Sequence, residues 1–390
     1  MTTLSVCHLG KYYPPAPGGI ESHVRTLAVA QAELGLDVRV LCVNHEPGPT
    51  RTDRDGLVEV TRLARAAKAS KLDMCPELVT ALRGADADIL HLHVPNPTMI
   101  LALLRARPKS QLVITYHSDI IKQKILGALF RPLERLAYRK VRAILPTSPD
   151  YAGGSRFLRP YGDRLEVLPH GIELAEYLNP STADQESAET LRKTHPGPLW
   201  VGCGRLVYYK GFLNAVRALT RVAGTLILVG EGPERGALEA EAARLGVADR
   251  LVFAGRAPRL APYYLAADAF WFPSNARSEA FGLVQVEAMA AGCPVINTAI
   301  PHSGVAWVSR HDREGLTVPV DDPLALAEAA NRIATEPGLR DRLVEASRRR
   351  AREEFDHRVM ARRCVDIYRR VLDGGTVAMP TLRAITAIDS

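Results

Sequence analysis

The sequence predicts an α/β fold made of two doubly wound, parallel-sheet domains in tandem. Three observations predict it. Short apolar runs alternate with amphipathic helical stretches, as strands covered on both faces by helices require. The alternation runs to about residue 146, lapses, and restarts at about 199. A chain of 390 residues, 47% of them hydrophobic, is long enough to bury two cores.

In the first half, residues 4–9 read as a strand. Gly18-Gly19 follow, and a helical period covers 20–34 and stops at Gly35, the residue type expected there. Residues 38–43, 89–93, 112–116 and 143–146 continue the strand series, with helical segments expected between them. The second half opens with a strand at 199–202 and a helix at 212–222, then a strand at 226–229 and a helix at 234–245. Strands at 251–254, 269–272 and 295–297 complete it. Residues 179–188 are polar, include Pro180 and Ser181, show no apolar period and read as a linker. After Asp321-Asp322-Pro323 the chain reads as helical to about 372, rich in Arg and Glu as a solvated face should be. The expected domains are 1–175 and 176–355, with a helix at 356–373 and a weakly patterned tail at 374–390.

Composition narrows the function. No run approaches the roughly 18–20 apolar residues of a membrane span, and the N-terminus lacks the basic start and apolar block of a signal peptide. Cys7, Cys42, Cys75, Cys203, Cys293 and Cys364 are scattered without a Cys-x-x-Cys pair. They read as buried thiols of a cytoplasmic protein, neither a disulfide frame nor a zinc site. The net charge of +7 favours anionic partners such as nucleotide phosphates or anionic lipid. Nucleic acid is not expected, because no basic-aromatic sheet, helix-turn-helix or zinc-knuckle pattern is present.

Doubly wound sheets bind ligands beyond the carboxyl ends of their strands, so the residues after each strand carry the chemistry. Two such domains in tandem are expected to enclose a cleft. After the first strand, Gly18 and Gly19 let backbone N–H groups approach an anion, although a Gly-Gly pair also suits a plain loop. Gly230-Glu231-Gly232-Pro233 follows a strand and, with Gly236, imitates a dinucleotide fingerprint. Its last spacing is one residue too long and Pro233 occupies the helix start, which argues against a dehydrogenase. Arg205 and Lys210 flank a short loop after the strand at 199–202. The planar fork of Arg and the point charge of Lys together suit a diphosphate and can offset leaving-group charge; the plainer reading is two surface cations.

Glu279 lies just before a helical pattern and Glu287 about two turns into it, roughly 12 Å along the axis. That spacing suits the two ends of an elongated, hydroxyl-rich ligand. The free N–H groups near Phe281 and Gly282 add an anion site between them. The plainer reading is a surface helix that happens to carry two glutamates. His117 ends the strand at 112–116, where a side chain faces the binding end; a lone His is more often a core or surface hydrogen-bonding residue. His170, in Leu168-Pro169-His170-Gly171-Ile172, reads as structural or as lining the ligand. His91 and His93 alternate on one strand and so face one side, but no Cys or carboxylate completes a zinc set.

Six segments in this order resemble the retaining glycosyltransferases of family four, whose two-domain Rossmann-like fold is called GT-B. They are Gly18-Gly19-Ile20-Glu21, Thr115-Tyr116-His117-Ser118-Asp119, Pro169-His170-Gly171-Ile172, Gly204-Arg205 through Lys210-Gly211, Val229-Gly230-Glu231-Gly232-Pro233, and Glu279 through Glu287. The resemblance implies an acceptor-binding first domain, a nucleotide-sugar-binding second domain, an interdomain cleft, and C-terminal helices that cross back onto the first domain. It implies that Arg205 and Lys210 bind the donor diphosphate and that Glu279 contacts the transferred sugar. The N–H groups of Phe281, Gly282 and Leu283 would hold sugar or phosphate oxygens, and Glu287 the ribose. Gly18 and Gly19 would lie near the phosphates, Gly230 and Gly232 beside the nucleoside, and His117 at the sugar or acceptor. No metal or other cofactor is expected. A GT-B epimerase or phosphorylase, or a non-catalytic nucleotide-sugar-binding protein, are the alternatives.

Residues 300–308 resemble the mannosyl- and rhamnosyl-transferring branch of that family, which favours GDP-mannose as donor and a glycan or lipid-linked acceptor. His302 stands where that branch commonly has Gly. Residues 120–142 carry Lys122, Lys124, Arg131, Arg135, Arg139, Lys140 and Arg142 among apolar residues. This suits either an anionic membrane surface, hence peripheral attachment at the inner face, or a sheet-covering helix with a wet basic side.

Overall fold

The computed structural model describes residues 3–69, 72–119 and 124–375, with side chains omitted at 68, 69 and 124–129. Residues 120–123 of the basic stretch and 376–390 of the expected tail lie outside the described residues. The chain divides into two compact units. One is Met1–Gly171 together with the residues from His357 on, and the other is Ile172–Asp356.

The first unit holds β1 (Ser5–Leu9), β2 (Asp37–Val43), β3 (Arg51–Asp55), β4 (Val58–Leu63), β5 (Ala67–Ala69), β6 (Leu72–Met74), β7 (Ile89–Val94), β8 (Gln111–Tyr116) and β9 (Val141–Pro146). Seven of these form one sheet in the order β3-β4-β2-β1-β7-β8-β9, and β5 and β6 pair separately. β7 is buried along its whole length, as a strand covered on both faces must be. The sheet is parallel except at its edge, where β3 runs antiparallel to β4. The expectation of helical segments between every pair of strands fails between β2 and β7, where four strands intervene before the helix Leu78–Gly84. The physical reason is visible in Arg51-Thr52-Asp53-Arg54-Asp55. This edge strand is almost wholly exposed, so it needs no apolar alternation and offers none to read.

The helix His357–Leu372 belongs to this first unit and packs against the helix Gly19–Glu33. It buries Met360, Ala361, Cys364, Val365, Ile367, Tyr368 and Val371, a stripe at helical spacing.

The second unit contains β10 (Leu199–Cys203), β11 (Thr225–Val229), β12 (Leu251–Gly255), β13 (Ala269–Phe272), β14 (Val295–Thr298) and β15 (Gly315–Val318). Their order is β12-β11-β10-β13-β14-β15, and every pairing is parallel. The order reverses at β10, so the loops after β10 and β13 diverge at the switch point where such sheets bind ligands. The supposed linker at 179–188 is instead largely the helix Thr182–Thr194. Only Asp184 and Ala188 are buried on it, too few for a legible period, and a capping box starts it. There Ser181 Oγ accepts from the Asp184 N–H while the Asp184 carboxylate accepts from the Ser181 N–H, a motif that stabilises by about 1 kcal/mol.

Candidate functional site

Three strand-end loops of the second unit lock together by backbone contact. The loop after β10 and the loop after β11 share hydrogen bonds: Leu206 N–H donates to the Glu231 carbonyl at 2.9 Å, and Glu234 N–H donates to the Leu206 carbonyl at 3.1 Å. This closeness dictates glycine. Gly230 has φ +141°, and a Cβ there would fall 2.0 Å from the Gly204 carbonyl oxygen. A Cβ on Gly232 would fall 2.3 Å from the Leu206 carbonyl oxygen. The Gly-x-Gly pattern that imitates a dinucleotide motif therefore fits two loops against each other.

Arg205 and Lys210 both stand on the loop after β10. Arg205 is exposed, with Nη2 3.3 Å from the Tyr209 hydroxyl. Lys210 Nζ lies 2.6 Å from Glu279 Oε2, with both side chains about nine-tenths enclosed (12% and 13% exposed). The same Nζ sits 4.9 Å from the Phe272 ring centre at the end of β13. An ammonium has three donors, so the ion pair with Glu279 leaves donor capacity for an anion. Glu279 is held by its own backbone: its N–H donates to the Ala276 carbonyl at 2.9 Å, and its carbonyl accepts from Ser303 Oγ at 2.5 Å. Ser274 Oγ approaches Glu279 Oε2 at 3.5 Å.

Gly282 caps the helix Leu283–Ala291 with φ +79°, and a Cβ there would strike the Phe272 ring at 2.7 Å. Phe281 is buried in the core, while Leu283 is half-buried. Glu287 occupies a different environment from Glu279. It accepts a hydrogen bond from the Tyr264 hydroxyl at 3.0 Å. Desolvation, aided by the nearby Glu176 charge, pushes its carboxyl up to about 7. His302 adopts φ +58°, the left-handed region that favours glycine. Its carbonyl accepts from Arg277 Nε at 2.8 Å.

The first unit gathers histidines. His8 on β1 is in register with His91 on β7, and His91 and His93 stack with ring centres 4.5 Å apart. His117 follows β8, His170 comes after the short helical segments Pro149–Gly154 and Arg159–Arg164, and His23 lies on the helix Gly19–Glu33. All six are buried, and loss of hydration holds each below the usual histidine range; His8 and His170 fall to about 4. Their contacts form a line. His8 Nε2 meets Gln31 Oε1 at 2.8 Å, and His8 Nδ1 meets His93 Nε2 at 3.0 Å. His93 Nδ1 meets His117 Nε2 at 3.2 Å, His117 Nδ1 meets His170 Nε2 at 3.4 Å, and His170 Nδ1 meets His23 Nδ1 at 2.9 Å. His91 stands beside the line, bonded to the Tyr368 hydroxyl at 2.5 Å and Thr115 Oγ1 at 2.7 Å.

Position by position, the structure joins Lys210 to Glu279 and His117 to His170. It gives Glu287 its own tyrosine partner. Gly18 and Gly19 are exposed at the start of their helix, where the Glu21 carboxylate crowds Gly18. His8, His91 and His93, and likewise His23, His93 and His117, each bring three ring nitrogens within 4.8 Å of one another. Sequence reasoning weighed His91 and His93 for metal and found no partner, because His8 and His23 reach them only through the fold. It also missed Gln31 and Tyr368. The available signal was that His8, His91, His93 and His117 fall on or just after strands and His23 on the helix following the first one.

Comparison with known proteins matches the family described as Glycosyl transferases group 1 over residues 184–350, and a Glycosyl transferase 4-like domain over residues 18–171. The chain is 31% identical to O-antigen chain mannosyltransferase C of Escherichia coli over 382 residues, covering 95% of this chain and 99% of that protein. It is 30% identical to D-rhamnosyltransferase WbpZ of Pseudomonas aeruginosa over 357 residues, covering 90% and 92%. Among solved structures, sucrose-phosphate synthase from Thermosynechococcus elongatus superposes with a TM-score of 0.76 at 24% identity, covering 95% of this chain and all of that one. Anabaena HepE in complex with UDP and glucose superposes with a TM-score of 0.71 at 20% identity, covering 93% and 99%.

Proposed function

The chain belongs to the group 1 glycosyl transferases, and from that premise we propose that it moves a hexose, mannose favoured, from a nucleotide-diphosphate sugar to a glycan or lipid-linked acceptor with retention of anomeric configuration. The fold is GT-B, and the activity is glycosyl transfer. Mannose is favoured because O-antigen chain mannosyltransferase C is similar over nearly its whole length. GDP-mannose is the donor proposed. The named relatives are transferases, which favours transfer over epimerisation, phosphorolysis or binding alone.

One observation carries the reading: Lys210 and Glu279, brought from two different strand ends, form a 2.6 Å ion pair, and the loop that supplies Lys210 also carries the exposed Arg205. In the proposed mechanism Lys210 and Arg205 hold the diphosphate, and their charge stabilises it as it leaves. Glu279 accepts hydrogen bonds from hydroxyls of the transferred sugar, with the N–H groups of Phe281, Gly282 and Leu283 beside it. Glu287 receives the ribose, and Gly230 and Gly232 border the nucleoside. By the resemblance Gly18 and Gly19 would lie near the phosphates, His170 would line the donor, and His117 would contact the sugar or the acceptor. No metal is required in this scheme, since two cations offset the leaving charge. A thermal-shift screen of GDP-, UDP- and dTDP-sugars tests it. Selective stabilisation by one donor, about 2.7 kcal/mol at a hundredfold excess over Kd, is expected; no shift with any of them contradicts it.

Peripheral attachment to an anionic membrane belongs to the same proposal. On the helix Lys124–Tyr138, Leu133 and Leu136 are exposed, 40% and 47%, among exposed Arg131, Arg135, Arg139 and Lys140. Apolar side chains standing outward among cations suit a lipid surface. Co-sedimentation with phosphatidylglycerol vesicles is expected at low salt and should weaken at high salt. Absence of binding at low salt removes the membrane from the account.

A further inference from the structure

Glu279 and Glu287 are held in opposite ways. Glu279 has the Lys210 ammonium at 2.6 Å, a cation that favours its charged form. Among the described residues no cation does this for Glu287. Burial, and then the Glu176 carboxylate on the helix Ala175–Leu178, oppose its charge. What favours the carboxylate is donation from hydroxyl groups, first that of Tyr264 and then that of Tyr177.

The Tyr264 ring cannot swing away. It stands on the helix Ala261–Ala266 and is 1% exposed. Phe270 of β13 meets it edge-on with ring centres 5.4 Å apart, and Tyr177 flanks it at 6.1 Å. Close packing of this kind fixes the side chain, so the hydroxyl stays 3.0 Å from Glu287 Oε2. The pair stands at the carboxyl end of β10. Cys203 is the last residue of that strand, and its thiol is pushed up to about 12 by burial and then by the Glu287 charge, with the Tyr264 hydroxyl working against the rise. This is the strand at which the sheet order reverses, where such sheets bind ligands. Glu287 keeps exposed surface there, being half-buried.

An ionised carboxylate only accepts, at about four lone-pair positions. Tyr264 takes one of them on Oε2. The others suit two adjacent hydroxyls and repel phosphate oxygens, and in a nucleotide the ribose cis-diol is the part with that chemistry. We propose that Tyr264 is a positioning residue for the nucleotide: its hydroxyl fixes the Glu287 carboxylate to accept from both the 2′- and 3′-hydroxyls, and so sets a preference for ribonucleotide over deoxyribonucleotide donors. The inference rests on the reading of the chain as a sugar transferase with Glu287 at the ribose. Tyr264 acts through Glu287 and is itself enclosed. Without its hydroxyl the Glu287 carboxyl, already raised to about 7, rises further and holds a proton at neutral pH. A neutral acid offers fewer lone pairs to the diol and is no longer oriented toward it.

The test is calorimetric titration of the full chain at pH 7.5 with GDP and UDP, each beside its 2′-deoxy and 2′,3′-dideoxy forms. The wild type should bind the ribose form of its preferred nucleotide about tenfold more tightly than the dideoxy form, as hydrogen bonds to a charged group allow. Tyr264→Phe should weaken the ribose form about tenfold and leave the dideoxy form unchanged, so that the preference disappears. Glu287→Asp draws the carboxylate back by one methylene and leaves the packed ring untouched. It should lose the same preference, which keeps the test independent of any loosening of the core by phenylalanine. Equal weakening of the ribose and dideoxy forms in Tyr264→Phe would assign the tyrosine to packing alone and overturn the proposal. An undiminished preference in either variant, or none in the wild type, overturns it as well. Nucleotide diphosphates still bind in each of those cases, so failure here is distinct from failure of the transferase reading. That failure would show as a wild type that binds no nucleotide, and it removes both.

Discussion

Between pH 7.5 and pH 5.5 the first unit will lose stability. Six histidines are buried in it as neutral rings, each held below the ordinary histidine range first by loss of hydration, with neighbouring rings adding to the shift in several. The sign follows from linkage. Below pH 6.5 the unfolded chain binds protons that the folded unit refuses, so the folded state is favoured above that pH and loses ground as pH falls toward about 4. All six shifts have the same direction, so each ring adds to the loss of stability as the pH falls. Urea unfolding followed by circular dichroism at a series of pH values measures this. All three tryptophans, Trp200, Trp271 and Trp307, lie in the second unit, so their emission reports that unit separately. A unit as stable at pH 5.5 as at 7.5 contradicts the buried neutral line.

Lys210→Ala should lower kcat for sugar transfer by about 10²–10³-fold, the usual consequence of deleting one preorganised group that stabilises developing charge. Glu279→Ala should lower kcat/KM by a similar factor of about 10²–10³, because it removes the acceptor for sugar hydroxyls and frees Lys210 from its 2.6 Å partner. Glu279→Gln separates the two effects. It retains a carbonyl oxygen for a hydroxyl but not the charge, and so should fall between wild type and Ala. Thermal stability should move little, since the Glu279 backbone is tied down independently of its side chain by Ala276 and Ser303. Near-normal turnover of a folded Glu279→Ala protein would remove Glu279 from the mechanism.

Much of the architecture was readable from sequence, for a definite reason. β1, β7, β8, β10, β11, β13 and β14 are buried strands, and burial writes an apolar run into the chain. β3 is exposed and the helix Thr182–Thr194 touches the core at few points, so neither left such a mark. In the candidate site, Lys210 and Glu279 were named separately because each sits at a strand end, but their pairing across 69 positions appears only when β10 and β13 lie side by side. The histidine line is the extreme case. Its members come from β1, β7, the residue after β8, the segment Leu168-Pro169-His170 and two helices, and each alone looks like an ordinary hydrogen-bonding residue.

The central claim is that the loop after β10 grips the diphosphate of an activated sugar. The most direct measurement compares the thermal shift given by the preferred nucleotide sugar in the wild type and in an Arg205→Ala, Lys210→Ala double variant. The account predicts a clear shift in the first and its loss in the second, with both proteins folded at the starting temperature. An undiminished shift in the double variant would place the diphosphate elsewhere and contradict the account.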